Sequence, residues 1–245
     1  MIDTASPLYS VPRQLVLPLI SSTDSYKMEF IAGTSNLLAR HWLLREGIKE
    51  EWPERRLILW GHSGCGKSHL LHVWGRAHNA LILPGTALRE GMQEAFLSLV
   101  SAHGGGAIGI DDADLIESEA LLLHLMNFIQ EQKGHLVLVG RSSPWGWRYQ
   151  LADLQSRIRA SLSVQMMPPD DDLLRILMLK LMACHQLVVS TAVVDWLLQR
   201  LPRTAPAVYE AVERIDRFSF QHGLALTREV AGQVLQQMGC LNMEK

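Results

Sequence analysis

The sequence predicts an α/β protein: a parallel sheet wrapped by helices, followed by a small all-helical unit. Three observations predict it. From residue 57 to 166, apolar runs of strand length alternate with segments of helical spacing, the pattern of a parallel sheet with helical crossovers. One junction of this kind is rich in glycine, Gly61-His62-Ser63-Gly64-Cys65-Gly66-Lys67-Ser68. Beyond Pro168-Pro169, every periodic segment is helical. The expected organisation is an arm over 1–26, an α/β domain over 27–168 and a helical lid domain over 169–245.

Taken in order, residues 1–26 carry Pro7, Pro12 and Pro18 among many serines and threonines, which predicts an extended, poorly ordered arm. Within it, Arg13-Gln14-Leu15-Val16-Leu17-Pro18-Leu19 is kept from helix by Pro18. It reads either as a strand docking on the body or as a short linear motif, its leucines entering a partner's pockets and Gln14 supplying directed hydrogen bonds. Phe30 to Asn36 leads into a helix over 37–46, with Ser35 or Asn36 as N-cap.

Leu57 to Trp60 has the length and apolarity of a strand buried on both faces, and residues 61–68 fit G-x-x-x-x-G-K-[ST] at every position. From average residue usage, a chance match in a chain this long is roughly one in a hundred. Glycines 61, 64 and 66 let the backbone bring N–H groups close to phosphate oxygens at the positive end of the next helix. His62, Ser63, Cys65 and His69 complete the loop and its exit. Lys67 should reach the β and γ phosphates and Ser68 should ligate Mg²⁺, so the cofactor expected is ATP or ADP with Mg²⁺.

The helix over 68–77, a strand over 80–83 and a helix over 86–100 follow, ended by Gly104-Gly105-Gly106. Ala107 to Asp112 is a second buried-type strand, closed by two carboxylates at the end of the sheet where ligands collect. Asp111 would hold Mg²⁺, directly or through water, and Asp112 would polarise an attacking water. Then come a helix over 118–132, a strand over 136–139, a turn at 140–144, a short arginine-bearing helix over 151–159 and a strand over 162–166. Trp145-Gly146-Trp147-Arg148-Tyr149 is unusually aromatic for a loop and is read as core packing rather than base stacking. Four helices are expected beyond Asp170: 171–185, 191–201, 205–221 and 227–238.

Composition narrows the function classes. A net charge of −2 and a pI near 6.5 give no general basic field, so strong direct DNA binding is not expected. Three scattered cysteines without C-x-x-C spacing fit a reducing compartment and argue against a zinc site. His69 and His72 read as packing or surface residues rather than metal ligands, since no H-E-x-x-H pattern exists. No leader and no run of 18 apolar residues is visible, so a soluble cytoplasmic protein without a membrane partner is expected.

Together the P-loop, the Asp-Asp strand, an arginine-bearing L-x-S-R segment and the helical lid resemble the bacterial AAA+ ATPases. Phe30-x-x-Gly33-x-Ser35-Asn36, GKSHLLH, IDDAD and DLQSR are similar to the corresponding motifs of the DnaA group. The arm QLVLPL resembles the clamp-docking motif of the Hda-like regulators in that group, and the chain stops after the lid, where an initiator would continue into a helix-turn-helix domain. The resemblance implies an AAA+ regulator of replication initiation. Its partners would be the DNA polymerase sliding clamp, through Gln14, Leu15, Leu17, Pro18 and Leu19, and DnaA, with a homo-oligomer as a further expectation. Arg157 would act in trans on the partner's nucleotide.

Three features depart from that family pattern, one of them the aromatic stretch 145–149 and the other two at the sensor positions. The sensor-1 position falls on Val139, which cannot orient water, and the sensor-2 arginine falls on Pro206, with Arg203 the nearest substitute. Weak self-hydrolysis is therefore expected, the chain acting mainly to activate a partner ATPase. A helicase loader or initiator paralogue is the alternative. A small-molecule kinase or hydrolase is disfavoured by the helical C-terminus and the arginine box.

Overall fold

A computed structural model describes residues 30–44, 52–223 and 225–240. The described strands are β1 (Arg56–Trp60), β2 (Leu81–Pro84), β3 (Ala107–Asp111), β4 (His135–Gly140) and β5 (Leu162–Gln165). They form one parallel sheet in the order β2-β3-β4-β1-β5. Between them run α1 (Leu37–Leu44), α2 (Lys67–Ala77), α3 (Gln93–His103), α4 (Glu119–Glu131) and α5 (Ala152–Ala160). The fold class is that expected from sequence.

Both faces of the sheet are apolar because both are covered, as parallel sheets require. On β1, Ile58 packs with Leu136 and Leu138 of β4 beneath α3, α4 and α5, where Val100, Leu125 and Ile158 close the layer. Leu57 and Leu59 point the other way, with Val137 and Val139, against Leu43 of α1 and Leu70, Leu71 and Trp74 of α2. The period-2 alternation therefore divides each strand between two cores rather than between core and water.

Beyond β5, α6 (Asp171–Cys184), α7 (Thr191–Leu198), α8 (Ala205–His222) and α9 (Arg228–Gln237) pack around Met178, Leu197, Val208, Val212, Ile215 and Leu235. Side-chain caps start three of them: Asp170 accepts from the Leu173 N–H at 2.7 Å, Thr204 from Ala207 at 3.4 Å and Thr227 from Val230 at 3.3 Å. Among the described residues no helix is long and apolar enough to cross a membrane.

Two local expectations fail. The helix expected over 86–100 begins only at Gln93, because the Leu88 carbonyl accepts from the N–H groups of Glu117 and Ser118 and Gly91 turns left-handed at φ 80°. The cap before α1 is also different: a 3₁₀ turn over Thr34–Asn36 precedes it, and the Asn36 side chain accepts from the Gly33 N–H and donates to the Ile31 carbonyl, each at 3.0 Å. The arm and its residues Gln14, Leu15, Leu17, Pro18 and Leu19 lie outside the described residues.

Candidate nucleotide site

The loop between β1 and α2 is shaped by two glycines. At Gly61, a Cβ would run into the Met166 carbonyl oxygen, so no other residue fits beneath the strand end without a shift. Gly66 stands at the N-cap of α2 with φ 98°, a left-handed conformation that opens the helix start without a side chain. Lys67 follows, buried at 8% exposure, its Nζ donating to the carbonyls of Gly61 and His62 at 2.8 Å each. Those two carbonyl oxygens give the buried amino group the hydrogen-bond partners that burial demands. Cys65 is also buried, and burial pushes its thiol above the ordinary value, so it packs rather than reacts.

Facing the loop are the ends of β3 and β4. Asp111 ends β3 and accepts from the Asp112 N–H at 3.0 Å; Asp112 itself is left-handed, with φ 49°. Arg141 follows β4, and its Nε donates to Asp112 Oδ1 at 3.1 Å. That hydrogen bond holds the guanidinium above its ordinary pKa. Val139, read from sequence as the polar-sensor position, has its side chain in the core beneath α2, 1% exposed. Immediately beyond β4, Arg141 lines the cleft, and nothing in its sequence context singles it out.

The third wall comes from the helical unit. The Ala205 N–H donates to the Gly64 carbonyl at 3.3 Å, and α8 presents Pro206, Tyr209, Glu210 and Glu213 to the cleft, spaced as one helical face. Ser63, Gly64, Gly66, Lys67, Ser68, His69, Asp112 and Arg141 line the other sides. The cleft holds about 470 Å³, within the roughly 300–1,000 Å³ of small-molecule sites. It adjoins a more apolar recess where Phe30, Ile31, Leu173, Leu177 and Tyr209 surround Gly66 and His69. His69 meets the Phe30 ring edge-on at 5.3 Å. The spacing of α8 residues 206, 209, 210 and 213 is the signal by which the acidic wall could have been found in the sequence.

Several expected residues are not brought to this cleft. Arg203 pairs with Asp171 at 3.0 Å on the surface, both side chains more than two-thirds exposed. His62 is exposed and does not line the cleft. Arg157, expected to act on a partner's nucleotide and not in this cleft, lies on α5, where its Nε donates to Asp153 at 3.1 Å and its Nη1 is buried without a hydrogen-bond partner. In the aromatic loop, Tyr149 is buried and Trp147 packs beside it and over Gly140, as expected of core packing, but Trp145 is 64% exposed.

The residues present fit a nucleotide with Mg²⁺. An open, left-handed α2 start supplies amides for phosphate, and Ser68 lines the cleft with an oxygen donor such a cation takes; Asp111, expected as the second donor, ends β3 beside the cleft but is not among the residues that line it. Among the described residues no group of three His, Cys, Asp or Glu could hold a metal without them.

No protein-family model matches the chain. It is 26% identical over 241 residues to an uncharacterised protein of Haemophilus influenzae, covering 91% of this chain and 98% of that one. Over 204 residues it is 26% identical to the chromosomal replication initiator protein DnaA of Sphingopyxis alaskensis, covering 76% of this chain and 45% of the initiator, so it spans less than half of that relative. Among solved structures, domain III of the Thermotoga maritima replication initiation protein DnaA is similar at TM-score 0.68 and 18% identity, with 85% of this chain and 94% of that one covered. DnaA bound to AMPPCP and single-stranded DNA is similar at TM-score 0.63 and 16% identity, covering 86% and 66%. A Thermotoga maritima RuvB follows at TM-score 0.66 and 14% identity, covering 84% and 69%. This chain has the AAA+ fold of DnaA domain III.

Proposed function

We propose that this chain is a nucleotide-binding AAA+ regulator of chromosome replication initiation, which docks on the sliding clamp through residues 14–19 and promotes ATP hydrolysis by DnaA. The observation that carries the reading is the buried Lys67 in a glycine-shaped loop at the start of α2, facing a cleft that the helical unit closes. ATP or ADP would lie with its phosphates on the α2 amides and Lys67 and its base in the recess beside Phe30 and His69. Ser68 and Asp111 would hold Mg²⁺, which neutralises phosphate charge when bound.

Self-hydrolysis is expected to be weak, because Arg203 is engaged at the surface and Val139 is core. The chain would act through Arg157, whose guanidinium leaves Asp153 to face a nucleotide in DnaA, within the cytoplasm and in an oligomeric contact. The test is DnaA-bound ATP hydrolysis with clamp loaded on DNA. Wild type should stimulate it, Arg157→Ala should lose that stimulation by up to ~10³-fold or more, and Gln14→Ala/Leu17→Ala should lose clamp binding. Unchanged stimulation by Arg157→Ala would remove the trans-acting role.

One observation favours a second reading, a DNA-associated loader or initiator paralogue. The exposed Trp145 shares a polar depression with Arg148 and Arg159, an arrangement suited to stacking a base and holding its phosphate. Filter binding to single-stranded DNA, lost in Trp145→Ala, would support it; the clamp-tethered reading expects no tight retention.

A further inference from the structure

Positive charge in the cleft comes from beyond the ends of two neighbouring strands, β1 and β4. Lys67 supplies it from the loop and Arg141 from beyond β4, while α8 contributes Glu210 and Glu213. The helical wall, where an arginine was expected, is acidic. Arg141 also sits in a particular way: only its Nε is engaged, by Asp112 Oδ1 at 3.1 Å. Its two terminal amino groups have no other hydrogen bond among the described residues. A guanidinium held at Nε keeps a planar fork of donors, the geometry that meets two oxygens of one phosphate.

Asp112 is arranged to hold it there. The residue adopts φ 49°, a left-handed conformation uncommon outside glycine, and so turns the chain out of β3 with its carboxylate toward the end of β4. A carboxylate engaged with a guanidinium is a poor acceptor for a water proton, since its charge is already compensated. We infer that Arg141 is a phosphate-binding residue of this cleft, and that Asp112 positions its guanidinium instead of polarising water. The inference rests on the nucleotide reading above and deepens it. With the inner phosphates on the loop amides, a group standing across the cleft at the ends of β3 and β4 meets the terminal phosphate. Arg141 therefore distinguishes triphosphate from diphosphate, a task for which the lid supplies no cation.

The test is calorimetric binding of a non-hydrolysable ATP analogue and of ADP, each with Mg²⁺, to the full chain. Arg141→Gln should weaken the analogue by about tenfold or more and ADP by less than about twofold. Arg141→Lys, which keeps the charge without the fork, should recover only part of the loss. On an Asp112→Ala background the Arg141→Gln loss should shrink to less than about threefold, because the two residues act as one unit. Both side chains are well exposed, at 56% and 42%, so the variants should fold, and a thermal melt checks this. Equal losses for both nucleotides, or losses that add independently, would overturn the inference while leaving the nucleotide reading intact. If neither wild type nor Lys67→Ala binds either nucleotide, the nucleotide reading falls and this inference with it.

Discussion

The two walls of the cleft are built by the same chain in opposite ways. The sheet wall concentrates donors and cations: α2 amides, Lys67 and Arg141, with Asp112 as anchor. The wall from α8 offers Pro206, a tyrosine and two glutamates, and it approaches closely enough for Ala205 to bond the Gly64 carbonyl. The difference teaches that binding chemistry here belongs to the sheet, while the helical unit supplies shape, closure and an apolar recess. On the function proposed above, the phosphate loop supplies the cation and the lid wall of the cleft supplies none, which would suit a site that holds a nucleotide better than it turns one over.

The contrast can be broken or sharpened by substitution. The largest stability effect should come from either core: Leu71→Ala beneath the sheet or Leu197→Ala in the helical unit, both fully buried, should each cost about 2–5 kcal/mol in chemical denaturation. If 27–168 and 169–245 are separate domains, Leu197→Ala lowers only one of two transitions. Next comes the acidic wall. Glu210 is already paired with Arg214 at 2.6 Å, whereas Glu213 has no ion-pair partner among the described residues. Glu213→Gln should therefore tighten ATP several-fold, on the order of 1 kcal/mol for a partly screened charge, and Glu210→Gln should do less. Equal effects would show that the pairing is irrelevant.

A stability effect of similar size concerns the start of α6, where the sheet-bearing part of the chain passes into the helical unit. Asp170 caps α6 and accepts from Thr34 Oγ1 at 2.6 Å; that bond and then the Leu173 N–H hold its carboxyl below the ordinary value. A folded-state pKa below the unfolded one stabilises the protein above the unfolded value of 3.8 and ceases to do so as pH falls through the folded value. Asp170→Ala should cost about 1 kcal/mol near neutral pH, lowering Tm by about 2–4 °C. The difference from wild type should vanish in acid; a difference that persists there would make the cap's charge unimportant.

Much of the sheet wall was legible, and most of the helical wall was not. Residues 61–68 carry their geometry in sequence because glycine is required where Gly66 turns left-handed, and buried strands announce themselves as apolar runs. The same apolarity hid Arg141. With both faces of β4 covered, the run 136–139 gives no sign of which residue is the first to enter the cleft, and the expectation at Val139 falls one residue short of the strand's end at Gly140. For α8, helix and N-cap were readable but its orientation was not, so Arg203 was expected at the phosphates and Glu213 was overlooked. Gly91, left inside an expected helix, was the visible warning that α3 starts later.

The most direct test of the account is equilibrium binding of ATP and ADP to wild type and Lys67→Ala. The sheet-wall account predicts wild-type binding of both, weakened at least ~30-fold when the buried cation is removed, with the melting profile otherwise preserved. Binding that survives Lys67→Ala unchanged would place the nucleotide elsewhere and contradict the account at its centre.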